Sequence, residues 1–80
     1  MLFEYSNHCL EQMHVRNISK QIIDSVMNKP DSTIYEKNKQ QIYQKVTGQY
    51  LYRVFVNANR IPTLIKTVYK TSKISKYKTL

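Results

Sequence analysis

Hydrophobic residues recur at two different periods along this chain, and the change falls near Asp31. Before it the period is helical. Cys9, Leu10 and Met13 fall on one helical face, and Ser6 ahead of them can cap the helix by accepting from a first-turn amide. Asn17 tolerates the left-handed backbone that ends such a helix. Ser19 is the expected cap of a second helix, with Ile18 packing on Ile23 as a hydrophobic staple. Its buried stripe is Ile22, Ile23, Val26 and Met27, and Pro30 stops it by disfavouring helical geometry at Lys29. The predicted helices cover about residues 6–16 and 19–28.

Beyond Asp31 the period is two. Strands are predicted at about 33–36, 41–46, 50–57 and 63–71, followed by a basic tail over 72–80. Lys37-Asn38-Lys39 and Asn57-Ala58-Asn59-Arg60 read as turns, and Thr47-Gly48-Gln49 holds the single glycine at a natural hairpin. In the third strand Tyr50, Tyr52, Val54 and Val56 face one way, and Leu51, Arg53 and Phe55 the other. In the fourth, Leu64, Lys66, Val68 and Lys70 oppose Ile65, Thr67 and Tyr69. The order ααββββ predicts one α+β domain over residues 1–80. Its two N-terminal helices pack on one face of a four-stranded antiparallel sheet, and the other face stays partly open.

Composition narrows the function classes. At 41% hydrophobic the chain has the means to fold, yet eighty residues leave little room for an internal ligand cavity. One cysteine, Cys9, excludes an intramolecular disulfide and reads as a small core residue in a reducing compartment. No apolar run reaches the length of a membrane span, so no membrane role and a cytoplasmic location are expected. Charge is more informative. Thirteen Lys and Arg stand against five acids, for a formal +8, and all five acids lie in residues 1–40. Residues 41–80 hold eight basic residues and no acid. Such self-repulsion is rewarded by an anionic partner, nucleic acid first, although a solvated basic surface or an acidic protein partner would use the same residues.

One Cys, two His and no paired carboxylates supply no closed zinc or two-metal site, and one glycine makes no phosphate loop, so no metal and no cofactor is expected. An enzyme built from this chain would use side chains alone. RNA permits that: its 2′-OH can attack its own phosphodiester, given a base, an acid and cations around the phosphorane. His8, Gln12 and Arg16 fall at helical steps of four, a polar stripe beside Cys9 and Met13. The positive end of the helix dipole disfavours an imidazolium there, which suits His8 as a base; the ordinary alternative is local capping. Tyr69, sharing a strand face with Thr67, can donate a proton or stack on a base, or simply pack. Arg53, in mid-strand, must face an open cleft or a partner. Lys70 follows Tyr69 directly, and the tail carries Lys73, Lys76 and Lys78 with Tyr77 between them, which fits a backbone-tracking arm, with a frayed terminus as the ordinary alternative.

The segment Ser6-x-His8-x-x-x-Gln12-Met13-x-x-Arg16-Asn17-Ile18-Ser19, followed by Thr67-Val68-Tyr69-Lys70-Thr71, resembles a small bacterial family of unknown function. That family's pattern reads S-x-H-A-x-x-R-M-x-x-R-G-I-S with a later strand ending T-V-Y, and it is grouped with the barnase–EndoU–colicin–RelE fold of toxin RNases. His8, Arg16, Thr67 and Tyr69 match the polar signature, while Gln12 replaces the usual Arg and Asn17 the usual Gly. The resemblance implies a RelE-like fold and a toxin of a toxin–antitoxin pair, a metal-independent endoribonuclease with an acidic antitoxin. On that reading His8 is the general base, Tyr69 the acid or stacking platform, and Arg16, Arg53 and Lys70 hold the phosphate. A non-catalytic nucleic-acid-binding module and an interaction protein docking on an acidic partner are the rivals.

Overall fold

Ser6 joins the first strand to the first helix and ties both to the far end of the chain. Its hydroxyl accepts from the Cys9 amide at 2.9 Å, as a helix cap should, and donates to the Lys66 carbonyl at 2.8 Å. Its amide donates to the Ile65 carbonyl at 3.0 Å. The structure, a computed structural model, describes residues 3–77, with side chains through Lys76. It runs β1 (Phe3–Tyr5), α1 (Asn7–Arg16), α2 (Lys20–Asn28), β2 (Ser32–Tyr35), β3 (Gln40–Thr47), β4 (Tyr50–Asn57) and β5 (Thr63–Thr71). Short 3-10 turns occupy Lys37–Lys39 and Ile74–Tyr77.

The five strands form one sheet in the order β1-β5-β4-β3-β2. β1 pairs parallel with β5, from Phe3 opposite Thr63 to Tyr5 opposite Ile65, and every other pair is antiparallel. This corrects the expected fold class. The sheet is five-stranded and mixed, not four-stranded and antiparallel, and the helices are preceded by a strand. Three residues, one of them charged, are too few to show a period of two, and their partner lies some sixty positions along the chain.

The two helices end and begin as their punctuation dictates. Asn17 adopts φ 55°, the Ile18 amide donates to the Met13 carbonyl at 2.8 Å, and the Ser19 hydroxyl accepts from the Ile22 amide at 3.2 Å. α1 lies against β5, and α2 against β4 and β3. Their buried side chains, Cys9, Met13, Ile23, Val26 and Met27 with Ile18 between them, meet Val54, Val56, Ile65 and Val68 of the sheet.

A bulge between β4 and β5 matters for the site. Phe55 opposes Thr67 and Val56 opposes Ile65, so Lys66 is the extra residue. Ile65 and Val68, three apart, therefore both reach the core, and the strict alternation expected over this strand fails there. The Ser6 hydroxyl satisfies the carbonyl of the bulged Lys66, which fastens the start of α1 to the bulge. At the β3–β4 hairpin Gly48 takes φ 63° at the first of two loop residues, where a side chain would be strained.

Candidate functional site

The two-residue hairpin fixes which side chains of β3 and β4 lie opposite each other. Gln44 faces Arg53; β2 sets Ser32 opposite Gln44, and β5 sets Tyr69 opposite Arg53. Residues directly opposed in antiparallel strands share a face. The result is a polar row across four strands on the face away from the helical core. Gln44 Nε2 donates to Ser32 Oγ at 3.3 Å, Arg53 Nε donates to Gln44 Oε1 at 2.5 Å, and Arg53 Nη1 donates to the Tyr69 hydroxyl at 2.7 Å. Gln44 is buried, while Arg53 and Tyr69 are half-buried.

Aromatic rings line the same place. Phe55 and Tyr69 stack with centroids 5.9 Å apart and planes 23° apart. The Arg53 guanidinium carbon stands 5.3 Å from the Phe55 centroid and 5.6 Å from that of Tyr69. α1 contributes the second cation. Arg16, in its last turn, reaches to 5.8 Å from the Tyr69 centroid, and its Nε donates to Gln12 Oε1 at 2.7 Å. Tyr69 thus has a guanidinium from α1 and another from β4. A hydroxyl that accepts from a cation is polarised towards giving up its own proton, and cations so placed also offset negative charge arriving beside it.

The other expected site residues are distributed unevenly. Thr67 shares the face, opposite Phe55. His8 is exposed in the first turn of α1, eight positions before Arg16, which is about 12 Å of helix rise. Arg16 leans back towards the helix start to meet Gln12, which closes part of that interval. Lys70 does not join them. It opposes Tyr52 on the helix side of the sheet, with its ammonium 4.7 Å from the Tyr50 centroid. It stands on the other face of the sheet from Arg53 and Tyr69, since adjacent strand residues point to opposite faces. Lys73 and Lys76 are exposed just past β5, where the Lys73 amide donates to Thr71 Oγ1 at 3.1 Å. Lys78 lies outside the described residues.

The acid-free half is not one uniform cationic patch. Arg60 is paired with Glu4 at 3.0 Å, and Lys45 donates to the Lys29 carbonyl at 2.7 Å. Cys9 is fully buried in the core, and burial pushes its thiol up to about 11, the state of a packing residue and not of a nucleophile. Among the described residues no three of His, Cys, Asp and Glu gather where a metal ion could be shared, and no helix is long and apolar enough to cross a membrane.

Sequence reading missed Gln44, Ser32 and the participation of Phe55. The signal for Gln44 was present: a two-residue loop at Gly48-Gln49 pairs Thr47 with Tyr50, and counting outward brings Gln44 to Arg53. Ser32 required the register of a second hairpin whose loop holds two left-handed residues, Asn38 and Lys39.

A family model described as "Domain of unknown function (DUF4258)" matches residues 5–70. The chain belongs to the DUF4258 family. The matched segment runs from the end of β1 almost to the end of β5, so the DUF4258 unit contains His8, Gln12, Arg16, Gln44, Arg53, Thr67 and Tyr69. No curated protein and no solved structure matches the chain.

Proposed function

We propose that this DUF4258 protein is a metal-independent endoribonuclease of the toxin type, acting in the cytoplasm and held in check by an acidic antitoxin. The observation that carries the reading is the pair of guanidiniums around Tyr69: Arg53 on its hydroxyl at 2.7 Å and Arg16 at 5.8 Å from its ring. The resemblance to the barnase–EndoU–colicin–RelE group of toxin RNases supplies the reaction class.

In this mechanism the scissile phosphate lies between Arg16 and Arg53, beside Tyr69. The 2′-oxygen attacks phosphorus, its proton passing to His8 at the start of α1. The bond to the 5′-oxygen breaks, and Tyr69 returns a proton to that oxygen. The cations offset the charge of the phosphorane, and a 2′,3′-cyclic phosphate results. Lys73 and Lys76 track the flanking backbone. A second reading is favoured by one observation, the stacked Phe55–Tyr69 pair, which suits a base-stacking platform in a binding module without catalysis.

The test is incubation of the purified protein with RNA in excess EDTA, followed by mapping of the ends. Cleavage leaving 2′,3′-cyclic phosphate and 5′-hydroxyl ends is expected. Ends bearing 3′-hydroxyls, or activity abolished by the chelator, contradict the mechanism, and tight binding without cleavage supports the second reading.

A further inference from the structure

Gln44 is an odd residue to bury in a domain this small. It is 2% exposed, and its neighbours on the same sheet face, Ile42 and Leu51, are apolar and buried with it. An apolar side chain of the same volume would fill the space with no polar group to satisfy. Its amide is nonetheless fully directed. Arginine carries donors only, so the Gln44 oxygen must face Arg53 and its NH2 must face away, where Ser32 Oγ stands at 3.3 Å.

The consequence falls on the guanidinium. The bond at Nε and the bond from Nη1 to the Tyr69 hydroxyl fix a planar group at two points, which defines both its position and its plane. The same contact recurs on α1, where Gln12 Oε1 accepts from Nε of Arg16. At Gln44 it is buried and anchored at its far end.

We infer that Gln44, anchored by Ser32, is a positioning residue that aims the Arg53 guanidinium at the Tyr69 hydroxyl. Its importance for turnover rests on the reading of Arg53 and Tyr69 as the centre of RNA cleavage; the aiming itself does not. Without Gln44 the cation remains but one of its two fixed points is gone, so charge-driven binding of RNA survives while alignment with the reacting oxygen is loosened.

The experiment compares Gln44→Met, which keeps the volume and removes the acceptor, with Gln44→Glu, which keeps an acceptor oxygen towards Arg53. Hydrogen exchange of the Arg53 Nε–H, followed by NMR and assigned through Arg53→Lys, reports the contact directly. Gln44→Met is expected to lose its protection and Gln44→Glu to retain it. With an RNA oligonucleotide as substrate, Gln44→Met is expected to lower kcat about tenfold or more and to move KM less than about twofold, the pattern of lost alignment. A folded Gln44→Met with undiminished Nε–H protection overturns the inference, and lost protection with parental kcat overturns its importance for turnover. Where Gln44→Met fails to fold, Ser32→Ala removes only the anchor; reduced protection supports the inference and unchanged protection overturns it. If the parent protein cleaves no RNA, the cleavage reading falls, and the Nε–H comparison still decides whether Gln44 aims Arg53.

Discussion

Arg53 and Tyr69 lie directly opposite each other on β4 and β5, and the arginine's Nη1 donates to the tyrosine's hydroxyl at 2.7 Å. A half-buried guanidinium in the middle of a sheet is costly unless its donors are occupied. Here they meet the Gln44 amide and the Tyr69 phenol, with the rings of Phe55 and Tyr69 beneath. The arrangement gives Tyr69 a fixed cation on its oxygen, which suits the proton donor proposed above.

Tyr69→Phe separates the two roles of that residue. The hydroxyl is lost, and the ring stacked 5.9 Å from Phe55 is kept. As a proton donor, Tyr69 should lose on the order of a hundredfold or more in cleavage rate when replaced, with RNA affinity little changed. Single-turnover cleavage and a binding titration on the same oligonucleotide check this. Undiminished cleavage by a folded Tyr69→Phe protein would leave only the stacking role.

The helices and the main hairpin were legible because their signals are local. Ser6, Asn17 and Ser19 act within one turn of where they stand, and Gly48 sits where a positive φ is needed. The edge strand Phe3–Tyr5 was not legible, since three residues carry no periodicity and their pairing with Thr63–Ile65 is non-local. The bulge at Lys66 was hidden for a related reason: it shows only once Ile65 and Val68 are seen to share the core. In the site, Arg53 announced itself as a charge in an apolar strand. Gln44 did not, because a glutamine directly between Tyr43 and Lys45 looks solvent-facing until the hairpin register is counted out.

Lys70 and Arg16 make a paired control on the geometry. Both are cations near Tyr69 in sequence or space, but Lys70 faces the helix side over Tyr50, whereas Arg16 reaches the Tyr69 ring. Arg16→Ala should lower cleavage by about tenfold or more, the order expected when a charge-stabilising group is removed. Lys70→Ala should leave the rate of the bound complex within about twofold, losing at most one long-range charge. Measurement of kcat for both variants decides; equal losses would mean that the face assignment does not govern function.

Binding itself should be salt-dependent. Lys73 and Lys76 stand exposed past the end of β5, beyond the Arg53–Tyr69 row. Affinity for single-stranded RNA should fall with a log–log slope of about −0.7 per phosphate contacted. A Lys73→Ala, Lys76→Ala variant should flatten that slope by about one unit, the release expected for one or two lost contacts. A salt-independent affinity, or none at low salt, removes nucleic acid as the partner and leaves the acidic protein.

The buried thiol makes stability fall at high pH, with a sign that follows from burial alone. Cys9 is 0% exposed, and desolvation raises its thiol from 9.0 to about 11. Between those values the unfolded chain gives up the proton and the native chain keeps it, so the unfolded state binds fewer protons and stability declines as pH rises. Below the lower value both forms are protonated and Cys9 contributes no pH dependence. The shift sets an upper limit of roughly 2–3 kcal/mol lost once pH passes the native value. Burial also raises Tyr5 and Tyr43, the former helped by Asp24, but their decline starts only above their ordinary value of 10.0. Urea midpoints measured at steps between about pH 8 and 10 therefore isolate the thiol. The parent protein should lose stability across that interval, and Cys9→Ala, whatever its offset, should lose distinctly less. Parallel declines in the two proteins would mean that Cys9 ionises in the native state as easily as in the unfolded one, and that the packing of α1 on β5 is looser than its zero exposure implies.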